Sequence, residues 1–363
     1  MEQIIYLALF CGSPYQLINA INIKKNLYNN HNADLFFFSY CSNAKQIAEN
    51  TKKANIFDNV YYLEANNKKE AFKTIMNLWL NPKCKKKHSK KKYNRLFFCY
   101  NGPIENLLFN LIYKRNKEIE IDFFDDGVAS YVYPYKNALY GIYKTYIKLF
   151  FPSMLTDHIS RVLLYRPEAA QANTEFTIIK LPFLDKNNAD MIKTLNMIFE
   201  YKPQNNDFAD SDIIFFEEAF EMDTGKSDKG VIDFFIDTVN NADLNVKLKR
   251  HPRVKINRFE SSDILINNIT SIPWEIYLLN HDFTKTMMVT ISSTAALSPK
   301  IIFDDDPPVA LLYNLLPEKG FIHTDKFERY VKKIGELYME KERFLNITDK
   351  DQFNEFIVQY TKS

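Results

Sequence analysis

The feature that most constrains the fold is a regular alternation of short apolar runs with amphipathic stretches. Strands that are apolar on both faces and are joined by helices form parallel sheets with helices on both sides. In the first half of the chain, the predicted strands cover 4–10, 34–40, 59–65, 95–100, 119–126 and 176–181. The predicted helices lie near 14–27, 44–55, 68–80 and 103–115. An α/β, doubly wound, Rossmann-like domain is therefore expected.

The alternation stops at the polar stretch 200–212, which is typical of a linker, and then starts again. After it, the predicted strands are 213–219, 245–252, 263–268, 287–292 and 300–306. The predicted helices lie near 229–241, 274–280, 325–341 and 350–361. We therefore predict two doubly wound domains, 1–205 and 206–363, that face a cleft, with the last helices packing back on the first domain. In such sheets ligands bind beyond the carboxyl ends of the strands.

Composition narrows the function classes. The 363 residues are 46% apolar, which is ample for two cores, and the net charge of +2 gives no global field that would favour nucleic acid. No CxxC pair occurs among the four cysteines, Cys11, Cys41, Cys84 and Cys99, which favours reduced thiols. The N-terminus has no basic region typical of a signal peptide, and no window of roughly 18 apolar residues occurs. A cytoplasmic protein is expected.

Consecutive carboxylates end one predicted strand, at Asp125 and Asp126, and Gly127 follows them. Two charges beside an apolar strand are costly unless they are solvated or paired. A carboxylate at the carboxyl end of a strand, facing a cleft, is a candidate general base. A solvated strand end or an Asp-Gly turn explains the same residues. From the motif alone both interpretations stay open.

Two further strand ends of the first domain carry residues suited to turns and to ligand contacts. Gly12 allows close approach of a ligand to the backbone, and Ser13 can cap the helix that Pro14 begins. Asn101 and Gly102 follow the fourth predicted strand in a similar way. An ordinary strand–helix turn fits both stretches equally well.

In the second domain a histidine lies among cations, in KLKRHPR (247–253). Neighbouring cations such as Lys249 favour neutral imidazole at His251, whereas an approaching phosphate favours imidazolium. His251 can then donate a proton or a hydrogen bond to a departing phosphate, and Pro252 fixes the turn behind it. A basic strand end on the surface is the alternative interpretation.

Hydroxyl side chains end another strand of the second domain, at Ser292 and Ser293, and Thr294 begins a run of small helix formers. Hydroxyls and free N–H groups at a helix start form an anion site, and a plain N-cap explains the same residues. Upstream, Glu275 lies in the first turn of a short predicted helix. There it either caps that helix or accepts hydrogen bonds from ribose hydroxyls.

The order of these motifs (acidic pair, His-Pro, Pro-x-Glu, Ser-Ser) resembles the bacterial sialyltransferases with two Rossmann-like domains. The SPYQL opening and the chain size are similar to those of glycosyltransferase family 52, whose members add sialic acid to lipooligosaccharide or capsule. The resemblance runs from Gly12 to about Thr294. It implies a GT-B fold and inverting α-2,3 transfer of sialic acid from CMP-sialic acid to a galactose-terminated glycan.

By this resemblance the first domain binds the acceptor and the second binds CMP. One aspartate of the acidic pair takes the acceptor proton, with Asp125 preferred, and His251 lies across the cleft from it. The resemblance places Ser13, Gln16 and Asn101 at the sialic acid, Glu275 at the ribose, and His251, Ser292 and Ser293 at the phosphate. Some members of family 52 are described with an aspartate in the second domain, so Glu217, Glu218 and Asp223 stay rivals for the base.

No cofactor and no metal are expected, because CMP carries one phosphate that basic side chains and helix N-termini can neutralise. FDDDPP (303–308) resembles the DxD motif by which other glycosyltransferases hold a divalent metal, but a solvated turn before two prolines explains it.

Two segments raise the question of membrane contact. Residues 83–95 hold eight Lys or Arg and are either a solvated loop or a patch for anionic lipid, where each cation contributes roughly 1 kcal/mol. The stretch 136–155 suits an interfacial helix or a buried one. Because enzymes that build cell-surface glycans act at the inner leaflet, peripheral contact with the inner face of the bacterial inner membrane is one expectation. A homodimer is another, and the sequence leaves the oligomeric state open.

Two other functions fit the same residues. One is a glycosyltransferase of this fold with another donor, a hexosyl or other nonulosonic acid nucleotide. The other is a non-enzymatic protein that holds nucleic acid or acidic glycan through its basic run.

Overall fold

The chain forms two compact units, each with one parallel sheet, which confirms the predicted two-domain α/β class. The computed structural model describes residues 4–41, 43–65, 67–83, 86, 93–136, 145, 153–204, 207–242, 244–254, 256–259, 264–267, 271–320 and 323–360. Unit 1 consists of Met1–Pro182 and Met197–Phe199, and unit 2 consists of Phe183–Asn196 and Glu200–Ser363. The sequence, by comparison, predicts one boundary after residue 205.

Unit 1 contains a seven-stranded sheet. Its strands are β1 Tyr6–Cys11, β2 Asn32–Phe38, β3 Asn59–Leu63, β4 Arg95–Phe98, β5 Glu120–Phe124, β6 Ile159–Leu164 and β7 Thr177–Lys180. The helices are α1 Pro14–Asn22, which a π-helical turn extends over Ile23–Leu27, then α2 Ala44–Lys53, α3 Lys68–Leu80, α4 Pro103–Tyr113 and α5 Val128–Val132. The strand order is β3-β2-β1-β4-β5-β6-β7. The order reverses between β1 and β4, so ligands are expected beyond their carboxyl ends.

One face of this sheet carries a row of aromatic rings that crosses five strands. The Phe10 ring on β1 stacks on Phe36 of β2 and Phe98 of β4, with centroid distances of 4.7 and 4.3 Å. Tyr61 on β3 and Phe123 on β5 extend the row. Rings at register-matched positions of neighbouring strands lie side by side only while every strand keeps its register. The row therefore fixes the relative positions of the strand ends beyond it.

Unit 2 contains a six-stranded parallel sheet. Its strands are β8 Ile213–Phe216, β9 Val246–Lys249, β10 Leu265–Asn267, β11 Met287–Thr290, β12 Val309–Leu311 and β13 Phe344–Asn346. The helices after β7 are α6 Ala189–Ile198, α7 Phe220–Thr224, α8 Lys229–Asn240, α9 Trp274–Asn280, α10 Thr294–Ser298, α11 Asp325–Glu336 and α12 Lys350–Tyr360. The strand order is β10-β9-β8-β11-β12-β13, so the order reverses between β8 and β11.

The predicted strand 300–306 is wrong. A π-helical turn, Pro299–Phe303, continues α10 there, and the left-handed residue Asp304 (φ 64°) ends it. The Lys300 ammonium lies 2.7 Å from a carboxylate oxygen of Asp304 and 2.7 Å from one of Asp306. Because side chains four residues apart meet on a helix and not on a strand, this charge pairing favours the helical turn over an extended run.

The carboxylates of FDDDPP are paired with lysines in the same way, since Lys186 binds Asp305 and Lys300 binds Asp304 and Asp306. In the described part of the chain, His, Cys, Asp and Glu side chains form no group of three or more that could hold a metal ion. Within the same residues, no helix combines the length and apolar character needed to span a bilayer. Most of 83–95 and of 136–155 lies outside the described residues, so their membrane contact stays a prediction.

Candidate active site

The start of α1 links the end of β1 to the acidic pair. Ser13 Oγ accepts the N–H of Gln16 at 3.2 Å, and Gln16 Oε1 accepts the N–H of Ser13 at 3.3 Å, which forms a capping box. The same oxygen accepts the N–H of Gly12 at 2.7 Å. The Gln16 Nε2 group also donates to Asp126 Oδ1 at 2.9 Å. Gly12 has no room for a side chain, because a Cβ there would lie 2.1 Å from the Tyr40 ring. The predicted contacts of Ser13 and Gln16 with sialic acid stay predictions.

Asp125 is fully buried, and both of its carboxylate oxygens accept hydrogen bonds. Oδ1 accepts from the Tyr15 hydroxyl at 2.8 Å and from the Gly127 N–H at 2.8 Å. Oδ2 accepts from the Tyr131 hydroxyl at 2.5 Å and, more weakly, from the Tyr165 N–H at 3.4 Å. Burial raises the pKa of Asp125, and these hydrogen bonds oppose the rise. A carboxylate enclosed in this way is suited to hold the strand end and poorly suited to take a proton from substrate.

Asp126 is half-buried and has one oxygen free. Its Oδ1 accepts the Gln16 amide, whereas Oδ2 has no hydrogen-bond partner among the described residues. Burial raises the pKa of Asp126 to about 7, the Gln16 hydrogen bond opposes the rise, and the charge of Asp125 adds to it. A general base is most effective when its pKa lies near the working pH. The geometry therefore favours Asp126 over Asp125 as proton acceptor.

Gly127 forms the turn that follows the acidic pair. Its φ of 74° and ψ of −156° lie in a region that side chains disfavour, and it forms the N-cap of α5. The Asp126 N–H donates to Ser130 Oγ at 2.8 Å, which closes the turn. The Asp-Gly turn interpretation is thus correct for Gly127, and this turn follows a half-buried Asp126 and a fully buried Asp125.

The start of α4 contains a carboxylate that sequence reasoning missed. Glu105 is 2% exposed, and its Oε1 accepts the Tyr40 hydroxyl at 3.1 Å. Burial raises the pKa of Glu105 to about 7. An acid in the first turn of a helix is ordinarily read as a dipole partner, so the sequence carries no further signal. The predicted residue Asn101 lies nearby, and its Oδ1 accepts the Asn106 side-chain amide at 2.7 Å.

In unit 2, Glu217 at the end of β8 positions the backbone of His251. Its Oε2 accepts the His251 N–H at 3.1 Å, and its Oε1 accepts Arg258 Nε at 3.3 Å. Burial raises the pKa of Glu217, and Arg258 and Arg250 oppose the rise. Asp223 is held by both guanidinium N–H groups of Arg253, at 2.6 Å each, and this pairing lowers its pKa. Two of the three rivals for the base, Glu217 and Asp223, are therefore engaged with arginine.

His251 is half-buried, and its ring accepts a hydrogen bond from its own turn. The Arg253 N–H donates to His251 Nδ1 at 3.2 Å, which places the proton of the neutral ring on Nε2. Burial lowers the pKa of His251 to about 4, Arg253 lowers it further, and Asp223 opposes the change. Pro252 lies inside the turn, which the Val254 N–H closes on the His251 carbonyl at 3.1 Å. At neutral pH the ring is a neutral N–H donor.

The predicted anion site after β11 already holds a carboxylate of the protein. Glu218 accepts the Ser292 N–H, the Ser292 hydroxyl at 3.0 Å and the Thr290 hydroxyl at 2.9 Å. Burial raises the pKa of Glu218, and these donors oppose the rise. Ser293 Oγ accepts the Ala295 N–H at 3.3 Å and caps α10, as the simpler interpretation expects. The strand end after β11 thus binds a carboxyl group of the protein itself, that of Glu218.

Two further predicted residues, Lys249 and Glu275, interact electrostatically. Burial lowers the pKa of Lys249 to about 8, and the charge of Glu275 opposes this change. The Lys249 ammonium donates to the Ile272 carbonyl at 3.2 Å. Glu275 Oε1 accepts the Ser298 hydroxyl at 3.2 Å, and that hydroxyl also lies 3.3 Å from the Thr294 carbonyl. Burial raises the pKa of Glu275.

A family model described as alpha-2,8-polysialyltransferase (POLYST) matches residues 8–307. The chain belongs to the alpha-2,8-polysialyltransferase family. Membership supports a sialyltransferase and so confirms the predicted class of enzyme, a glycosyltransferase. The predicted membership of glycosyltransferase family 52 is not confirmed, and neither is the predicted specificity for lipooligosaccharide. No curated protein matches it by sequence.

Solved structures share the fold of this polysialyltransferase-family chain. A UDP-N-acetylglucosamine 2-epimerase from Listeria monocytogenes, titled as putative, is 12% identical, with 95% of this chain and 90% of that chain covered and a TM-score of 0.50. The spinosyn rhamnosyltransferase SpnG is 7% identical, with 98% and 92% covered and a TM-score of 0.50. LpCGTa in complex with UDP is 11% identical, with 99% and 91% covered and a TM-score of 0.50. These likenesses show the GT-B fold and nothing finer.

Proposed function

We propose that this chain transfers sialic acid from CMP-sialic acid to a glycan hydroxyl, with inversion and in a single displacement. The observation that carries the proposal is Asp126, a half-buried carboxylate beyond β5 with a free oxygen and a pKa of about 7. It lies one strand from the point where the strand order of unit 1 reverses. In a chain of a sialyltransferase family, such a group is suited to remove a proton from an attacking hydroxyl.

The acceptor oxygen attacks C2 of the donor while the bond from C2 to the phosphate oxygen breaks. The acceptor proton passes to Asp126 Oδ2, and CMP departs with the bonding electron pair. Gln16 holds Oδ1 and so keeps Oδ2 directed away from the capping box. Asp125 stays enclosed by its hydroxyl and N–H donors and acts as the anchor of the turn.

The departing CMP is assigned to the polar groups of unit 2. The Nε2–H group of His251 donates a hydrogen bond to a phosphate oxygen, and the negative phosphate in turn raises the pKa of the ring. Glu217 holds the backbone of His251 for this contact. Lys249 and Glu275 remain the proposed contacts for the rest of the nucleotide, since Glu275 is buried, Lys249 is half-buried, and both have shifted pKa values.

Two acceptors have support. The family description favours a sialic acid terminus, because a 2,8 linkage requires an eighth carbon and a hexose has none. The order of motifs, which resembles family 52, favours α-2,3 transfer to a terminal galactose. Purified protein with CMP-Neu5Ac, and either lactose or sialyllactose as acceptor, distinguishes them by the mass of the product and by its cleavage with linkage-specific sialidases.

Release of CMP together with a product one sialic acid larger supports the proposal. Transfer from UDP- or GDP-sugars in its place would show that the donor is wrong. Absence of turnover with every donor, combined with retained binding of acidic glycan, would favour the non-enzymatic alternative.

A further inference from the structure

Two aromatic side chains that follow strands of unit 1 are exposed, although aromatic rings within the same strands are buried. Tyr40 follows β2 and is 46% exposed, and Tyr100 follows β4 and is 56% exposed. Phe36 and Phe98, on the same two strands, are completely buried. Exposed rings beside the switch point of a parallel sheet lie where ligands of such sheets bind. These two side chains therefore belong to the surface that a ligand of unit 1 would meet.

Glycines make room for both rings. A Cβ at Gly12 would lie 2.1 Å from Tyr40 Cδ2, and a Cβ at Gly102 would lie 2.7 Å from Tyr100 Cε1. The two rings thus rest against the backbone beyond β1 and β4, the strands between which the order reverses. Phe38 also stacks on the Tyr40 ring, with a centroid distance of 5.4 Å. Ring positions that are held before a ligand arrives lower the entropic cost of binding.

A buried carboxylate connects the two tyrosines. Glu105 Oε1 accepts the Tyr40 hydroxyl, and a Cβ at Gly102 would lie 2.2 Å from Glu105 Oε2 as well as close to Tyr100. Glu105 Oε2 is buried and has no hydrogen-bond partner among the described residues. The backbone N–H groups of Glu105 and Gly102 stabilise the charged carboxylate without a hydrogen bond of normal geometry to Oε2, so this oxygen can still accept one from a ligand. The cluster is also connected to the proposed base, because the Tyr40 ring lies against Gly12, and the Gly12 N–H donates to the Gln16 side chain that holds Asp126.

We propose that Tyr40 and Tyr100 form a stacking surface for a pyranose ring of the acceptor glycan. Glu105 positions Tyr40 and accepts a hydrogen bond from a sugar hydroxyl. The C–H face of a pyranose packs on aromatic rings, and its rim supplies hydroxyl donors, which matches an apolar surface with one carboxylate. A hydroxyl on the rim of the stacked sugar is the donor that Glu105 Oε2 lacks among the described residues. The inference rests on the proposed function, because it places the acceptor beside Asp126.

A phosphate-bearing nucleotide fits this surface poorly. The carboxylates of Asp125, Asp126 and Glu105 follow two neighbouring strands, β4 and β5, and the hydrogen bonds that they accept in the described residues come from hydroxyl, amide and N–H groups. Phosphate beside such carboxylates is repelled. The cations and neutral imidazole suited to phosphate lie in unit 2 instead. The ligand of the tyrosine surface is therefore the glycan and not CMP.

The test compares acceptor kinetics of Tyr40→Ala and Tyr100→Ala with those of Phe72→Ala, another exposed aromatic of unit 1, on α3. Loss of either ring should raise the acceptor KM about tenfold, with a smaller change in kcat, as expected when ring contacts made equally in the ground state are removed. Tyr40→Phe keeps the ring and should give a smaller rise. Phe72→Ala should leave both constants unchanged. Unchanged KM in both alanine variants would overturn the proposal.

Glu105→Gln tests the positioning role. It should raise the acceptor KM while the melting temperature stays near that of the wild type, and a fall in kcat alone would contradict the assignment. Saturation-transfer-difference NMR with lactose and sialyllactose reports binding without turnover. Saturation-transfer signals from the pyranose ring protons of the glycan should persist with the Phe72→Ala variant and vanish with the Tyr100→Ala variant if the glycan stacks on this surface. If wild-type protein binds glycan in this way but transfers nothing from CMP-Neu5Ac, the proposed function fails while the surface stands.

Discussion

Both units end a strand with two consecutive carboxylates, but they satisfy them with different donors. In unit 1, Asp125 and Asp126 accept hydrogen bonds from phenol, amide and N–H groups. In unit 2, Glu217 is held by Arg258 and by the N–H of His251, and Glu218 is held by the hydroxyls and N–H of the strand end after β11. Both oxygens of both glutamates accept a hydrogen bond.

The difference in hydrogen-bond donors distinguishes a candidate general base from carboxylates that hold neighbouring groups in place. Of these four carboxylates, Asp126 is the one whose second oxygen has no partner within the described residues. Neutral donors leave its pKa at about 7, whereas arginine opposes the rise for Glu217. A free oxygen with a pKa near neutrality can take a proton, while an engaged one must first break a hydrogen bond. The comparison therefore supports the proposal that Asp126 of unit 1 removes the proton, while Glu217 of unit 2 holds the backbone of His251.

The largest expected effect comes from Asp126→Asn. Loss of a general base should lower kcat by about 10²–10⁴-fold, measured as CMP release with saturating donor and acceptor. CMP affinity, measured by calorimetry, should change little. Asp223→Asn is the matched control in unit 2 and should stay within a few-fold of the wild type. Near-normal turnover in Asp126→Asn, with loss in Glu217→Gln or Glu218→Gln, would place the base in unit 2.

The second-largest effect is expected from His251→Ala. A hydrogen bond to a charged group contributes about 1.5–3 kcal/mol, so kcat should fall by roughly 10–150-fold. The defect should shrink with a sialoside whose nitrophenolate departs without help, and Glu217→Gln should give a weaker version of the same defect. An equal loss with both leaving groups would show that His251 does not act on the departing phosphate.

The pH dependence of kcat/KM should contain a limb at about 7 that belongs to Asp126. The base acts only when deprotonated, so the rate should fall about tenfold for each pH unit below that value. The limb should disappear in Asp126→Asn. His251, with a pKa of about 4, adds no limb near neutrality in the free protein. A single limb that survives in Asp126→Asn would assign the titration to another group.

Asp125→Asn should act on stability. The amide cannot accept all the hydrogen bonds that the carboxylate accepts, and leaving a buried donor unsatisfied costs about 1–3 kcal/mol. Urea unfolding of Asp125→Asn should show this loss, whereas Asp223→Asn, which breaks a more exposed ion pair, should cost at most about 1 kcal/mol. Full stability of Asp125→Asn together with loss of turnover would restore Asp125 as the base.

Ser292→Ala is expected to have the smallest effect. If Glu218 keeps the strand end after β11 during turnover, the donor KM should change less than about threefold, because one of several donors to Glu218 is lost. A donor KM raised by more than about tenfold would show instead that the phosphate displaces Glu218 and binds Ser292, as the sequence predicts.

Local patterns explain why much of the fold is predictable. Strand β2 is a continuous apolar run, and helices α1 and α4 combine an apolar face with proline in the first turn, features that are visible in the sequence. Three strands were not predicted: β6, whose first half contains the polar residues Ser160 and Arg161, and β12 and β13, which have three residues each. The run 300–306 was predicted as a strand because its apolar residues fit one, while the lysine–aspartate pairs that favour a helical turn depend on the folded chain.

The candidate site is less predictable because its decisive partners are distant in sequence. Asp125 and Asp126 are equivalent by pattern, and they differ only once Tyr15, 110 residues away, encloses the first and Gln16, equally distant, holds the second. The hold of Glu218 on Ser292 spans 74 residues. Residue types at strand ends can therefore be predicted, but which of them stays free depends on tertiary contacts.

Gln16 has two duties that cannot be adjusted separately. Its carbonyl oxygen completes the cap at the start of α1, and its amide nitrogen holds Asp126. A substitution at this position would change local folding and reactivity together, so its phenotype would combine a fraying helix with a misdirected base. One substitution at this position therefore changes two properties at once. A replacement preserves both only if its side chain supplies a hydrogen-bond acceptor and a donor at the same distance from the backbone.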